Sequence, residues 1–80
     1  MKYLVQGMES TRKINILLAL TKIDSERKVK ALHLHFVTGA SVGDAARTYG
    51  MPQPNLSACI DTLNIIAGHC EEFHELKVYK

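Results

Sequence analysis

The stretch Ala45 to Ile60, AARTYGMPQPNLSACI, places two prolines around one glutamine among residues that otherwise read as helix. Proline lacks the N–H that an inner helical turn donates, and its ring crowds the carbonyl four residues earlier. No regular helix runs unbroken through Pro52 and Pro54, so the chain must fold here as two helices meeting at a joint. Gly50 carries the other half of the signal: glycine enters the left-handed conformation that closes a helix, and Pro52 just beyond cannot prolong it. Pro54 suits the first turn of the next helix, where a missing N–H has no intrahelical partner to lose.

Similar punctuation divides the rest of the chain. Ser10 or Thr11 caps a first predicted helix to about Lys22, with Ile14, Leu17 and Leu18 on one face and Ile16, Leu20 and Ile23 on the other. Ser25 opens a second, with Glu26 favourable at the positive end of the helix dipole, and Gly39 stops it. Its buried stripe is read as Val29, Leu32, His33 and Phe36. Ser41 opens a short third helix through Ala45, Ala46 and Tyr49. A fourth runs from about Pro54 to His69, with Leu56, Cys59, Ile60, Leu63, Ile66 and Ala67 inward and Ser57, Ala58, Asp61 and Ile65 outward. The predicted fold is all-α, a single domain over residues 1–80 of four to five helices, with residues 1–8 as a flexible or partner-contacting N-terminus.

Eighty residues hide only a modest fraction of their surface. A first helix that is apolar on two sides therefore predicts a homodimer or higher homo-oligomer, with Ile16, Leu20 and Ile23 in the contact. The longest apolar run, INILLAL, is too short to cross a bilayer and contains Asn15. With no signal peptide in view and two cysteines that make no disulfide framework, the expected location is the cytoplasm.

Charge is uneven. Up to Ala40 seven Lys and Arg oppose three acids, and from Ser41 onward three oppose five, so a polyanionic partner would be met mainly by the first half. The joint itself has the spacing of a helix-turn-helix. Small Ala46 lies four residues before Gly50 and lets the helices cross at close range, apolar Met51 follows, and Leu56 and Ile60 take inward positions. In that motif the second helix enters the major groove by its N-terminal turns, which makes Gln53, Asn55 and Ser57 the candidates for base edges. Between Gln53 and Cys70 there is no Lys or Arg. Phosphate contacts must then come from Arg27, Lys28, Lys30 and Arg47. The plainer reading of the same residues is a solvated face and helix caps.

The stretch SERKVKALHLHFVTGAS, with Ser25-Glu26-Arg27, Ala31-Leu32, Phe36-Val37, Gly39 and Ser41, and then YG and NLSACIDTL through Gly50, Leu56, Ser57 and Leu63, resembles the PapB-like regulators of fimbrial adhesin biosynthesis in enteric bacteria. The likeness covers roughly residues 25–63. It implies an all-helical transcription regulator that binds double-stranded promoter DNA of fimbrial operons as an oligomer. No enzymatic activity, cofactor, membrane or small-molecule substrate is expected from these residues. Met51-Pro52-Gln53-Pro54 and the acidic Asp61 depart from the family's pattern.

Other constellations are weaker. His69, Cys70 and His74 cluster, but no further ligand set completes a metal site, and Cys59 falls on the inward stripe as a small apolar filler. The acidic EEFHEL and the cation-free fourth helix fit an alternative: a protein-interaction module that packs on another regulator without binding DNA itself.

Overall fold

The structure is a computed structural model, and it describes the backbone of residues 3–78 and the side chains of residues 3–73. Within these the chain is all-helical, without strands. Four α-helices follow one another, α1 (Thr11–Ala19), α2 (Glu26–His33), α3 (Val42–Thr48) and α4 (Gln53–Val78), with a π-helical turn over Leu34–Thr38 continuing α2.

The caps come from local chemistry. Ser10 and Ser41 accept hydrogen bonds from the N–H groups of Lys13 and Asp44, each at 3.1 Å, occupying donors that the first turn leaves open. Ser25 stands at the N-cap of α2 with extended backbone but makes no such bond with its side chain, so Glu26 in the first turn is what complements this end. α1 ends at Ala19 rather than Lys22, because Leu20 and Thr21 donate to Leu17 and Leu18 in tighter turns. α3 closes by a Schellman arrangement: Met51 N–H donates to Ala46 O (3.0 Å), Gly50 N–H donates to Arg47 O (3.2 Å), and Gly50 has φ +65°. Pro52 then serves as N-cap of α4, its carbonyl accepting from Asn55 and Leu56, and Pro54 falls in the first turn.

Ile14, Leu32, Phe36, Leu56 and Leu63 are the largest fully buried side chains, and Ala31, Ala45 and Ala46 let the helices approach around them. The stripe read for the second helix needs correction. Leu32 and Phe36 are buried, but His33 and Val29 are only half-buried, and Ala31 and His35 take the inward places. Ala31, Leu32, His35 and Phe36 are themselves spaced by helical turns, so the helix keeps its period but is rotated about its axis from the face that the apolar count alone selects. His35 donates from Nδ1 to Ala40 O at 2.8 Å and lies edge-on to Phe36, while His33 Nε2 donates to Asn15 Oδ1 at 2.8 Å, joining α2 to α1.

Residues 3–8, read from the sequence as flexible or partner-contacting, are tied down as a strap. Leu4 is buried, and Asn64 Oδ1 on α4 accepts from the N–H groups of both Tyr3 and Leu4 at 3.0 Å. Further along, Gly7 and Glu9 donate to the carbonyls of His35 and Phe36, and Gln6 Nε2 donates to Gly39 O. Gly7 and Gly39, both at positive φ, meet backbone to backbone: a Cβ on Gly7 would lie 3.0 Å from Gly39 Cα. Beneath the strap's start, Tyr3 lies across Gly68, where a Cβ would meet its ring at 2.7 Å. That contact accounts for a glycine inside α4, which runs on past His69.

Candidate nucleic-acid interface

The outward side of the first turns of α4 forms a shallow groove lined by Gln53, Pro54, Ser57, Ala58 and Asp61. These positions share one face of a helix, turned away from Leu56, Ile60 and Leu63 in the core. Gln53 is exposed but leans on α3, its Oε1 only 3.3 Å from where a Cβ of Gly43 would stand, so the absence of that Cβ gives the amide its place. Ser57 is half-buried within the groove. Asn55 is exposed but lies outside this lining, since two residues along a helix turn it well away from Gln53.

The cations approach from two helices. Arg47 is largely exposed on α3 and holds Asp44 at 3.2 Å. On α2 Arg27 and Lys30, three positions apart, share a side, and Lys28 falls across from them and is half-buried. Lys30 Nζ lies 2.9 Å from Glu26 Oε1, and the hydrogen bond and charge of that carboxylate raise the lysine's pKa while lowering its own. Lys30 lines with Tyr49 of the turn, Thr11, His33, Leu34, Val37 and Thr38 an open cleft of about 390 Å³. One cation of α2 therefore stands next to the α3–α4 junction. Both ion pairs are solvent-facing and each joins neighbours on one helix, so either opens at little cost.

No family model, curated protein or solved structure matches this chain.

Of the expected contact set on α1, Ile16 and Leu20 are exposed at 54% and 57%, an apolar pair one turn apart. Ile23 does not join them. It lies beyond the end of α1, half-buried and packed against the core, because the chain has already turned toward α2. Past its first turns α4 presents a further face, with Ile65 60% exposed and Asp61, His69 and Glu72 exposed beside it. Cys59 is buried and Cys70 exposed, and among the described residues no three His, Cys, Asp or Glu side chains group as a metal site. His74 lies outside the residues whose side chains are described. No helix among the described residues is long and apolar enough to cross a membrane.

Proposed function

We propose that this chain is a DNA-binding transcription regulator in which α3, the turn at residues 49–52 and α4 act as a helix-turn-helix. The observation that carries the reading is the groove on the first turns of α4. It presents the Gln53 amide and the Ser57 hydroxyl outward, and Lys30 lines a neighbouring cleft with Tyr49 of the turn before α4. Gln53 offers a donor and an acceptor to a base edge, and Pro54 and Ala58 offer apolar surface to a thymine methyl. Arg27, Lys30 and Arg47 serve the phosphates, which fix position without reading sequence. Lys28 and Asn55 take lesser parts, the one for its burial and the other for its place outside the groove. Regulation of fimbrial operons in the bacterial cytoplasm, as a homo-oligomer, belongs to the same proposal through the PapB-like resemblance.

One observation favours the second reading, a module that packs on another regulator: Asp61 closes the groove with a negative charge. A salt-titrated gel shift on AT-rich and GC-rich duplexes separates the two. DNA binding through this surface gives affinity that falls steeply with salt, and Arg47→Ala, or Arg27→Ala with Lys30→Ala, lowers the slope by about one unit per lost phosphate contact. Gln53→Ala and Ser57→Ala instead alter which duplex is preferred. Absence of any shift at low salt, or unchanged slopes in both cation variants, removes this model.

A further inference from the structure

We infer that the outer face of α4 is the docking surface for α1 of a second copy, and that the contact propagates head to tail. The inference rests on the self-association in the preceding reading and not on DNA binding. Each face is an apolar centre with charge at its ends, and the charges are opposite. On α1, Arg12, Ile16 and Ala19 point away from Ile14, Leu17 and Leu18, with Leu20 at the end of the row and Lys22 just past it, all of them exposed. On α4, Asp61, Ile65 and Glu72 point away from Leu63 and Ala67, also exposed, and Tyr3 of the strap, lying across Gly68 on the same side between Ile65 and Glu72, adds its partly exposed ring to the apolar centre. Arg12, Lys22, Asp61 and Glu72 make no ion pair among the described residues.

The spacings match when the two helices lie antiparallel. At 1.5 Å per residue, Ile65 seated between Ile16 and Leu20 puts Glu72 about 10 Å further along α4, while Arg12 lies about 9 Å from that seat along α1. In the other direction Asp61 lies about 6 Å away, toward Lys22. The register therefore covers the exposed isoleucines with one another and gives Asp61 a role that a DNA contact does not. A parallel arrangement brings Asp61 rather than Glu72 toward Arg12, and turns Glu72 beyond the end of α1.

Within one copy α1 and α4 pack on each other through their buried sides, so their outer faces are directed apart. A copy then offers its α1 face to one neighbour and its α4 face to another. Such a heterologous contact joins copies head to tail rather than as a two-fold dimer, and the row grows unless its rotation closes it into a ring.

Charge reversal tests the pairing. Sedimentation of the whole chain over a concentration series, at low salt and without DNA, is expected to show mass that keeps growing beyond a dimer. Arg12→Glu and Glu72→Arg should each weaken association by about fivefold, and the two changes together should return it to within about twofold of the original chain. Ile65→Lys, on the side of α4 away from the core, should weaken it with helical content unchanged by circular dichroism. The inference is overturned by a chain that stays monomeric, by a dimer that stops growing, by single reversals without effect, or by a double reversal no better than either single. Because DNA is absent, failure of the gel shift leaves these outcomes intact, and a normal shift with no association strikes this interface alone.

Discussion

Replacing Asn64 with alanine removes the anchor of the N-terminal strap, and the cost can be worked from its bonds. Oδ1 accepts from Tyr3 and Leu4, each at 3.0 Å, and Nδ2 donates to Ile60 O at 3.2 Å. The Leu4 N–H is partly buried, so its loss costs about 1–3 kcal/mol, whereas the exposed Tyr3 N–H recovers water and costs about 0.5 kcal/mol. Alanine returns about 0.5 kcal/mol through its better helix propensity inside α4. The expected net loss is about 2 kcal/mol in urea unfolding, enough to open the strap locally before the core. Hydrogen exchange distinguishes this from a general weakening. The amides of Leu4, Gly7 and Glu9 should lose protection together, while those around Leu56 and Leu63 fall only with global stability. Asn64→Asp keeps the accepting oxygens and should recover most of the protection. Wild-type exchange at Gly7 and Glu9 in Asn64→Ala would refute the reasoning, because the strap would then be held without its anchor.

Gly50→Ala should cost about 1 kcal/mol, since φ +65° is strained for alanine while no atom lies within 4 Å of the added carbon, and Gly50→Asn should recover part of it in the same urea titration. An unchanged midpoint for alanine would show that the turn relaxes. Leu20→Asp should reduce association in sedimentation and leave helical content nearly unchanged; unfolding instead would place Leu20 in the monomer core. Stability should fall with acid in two stages. Burial lowers the His33 pKa below its ordinary 6.5, so the unfolded chain takes up that proton more readily and the fold weakens from about pH 6.5 downward. For Glu9, burial acts to raise the pKa, but the Val5 N–H and the Lys13 ammonium outweigh it and hold it below 4.5, so its contribution is lost as pH falls through that lowered value. His33→Gln should remove the upper stage in unfolding measured between pH 7.5 and 5, and persistence of that stage would assign it elsewhere.

Much of this fold is written in short-range chemistry. Ser10, Ser41, Gly39 and Gly50 mark helix ends because a cap is decided within four or five residues, and the inward stripe of α4 follows its period. What escapes the sequence is non-local. The exchange of His33 for His35 depends on which side of α2 the neighbouring helices cover, the carbonyls of His35 and Phe36 are met by Gly7 and Glu9 from far along the chain, and the glycine at position 68 is explained only by Tyr3 lying against it. In the candidate site, Gln53 and Ser57 sharing a face is a matter of helical spacing. That Lys30 and Arg47 already hold Glu26 and Asp44 follows from i,i+4 and i,i+3 spacing too, but whether such pairs form depends on rotamers that a sequence does not fix.

The anchor on Asn64 also sets an order of events during synthesis. Tyr3 and Leu4 bind a residue 61 and 60 positions later, so the strap waits for α4 to be made before it gains this anchor. Until α4 has emerged, the carbonyls of His35 and Phe36 have no strap to receive, and nothing yet opposes a regular continuation of α2 through Thr38. The nascent chain should therefore carry an ordinary helix through this stretch and convert it to the wide turn late, when the strap docks on Asn64. Closing so long a loop comes after the local contacts among α1, α2 and α3 have formed, and it makes the strap the final step of folding.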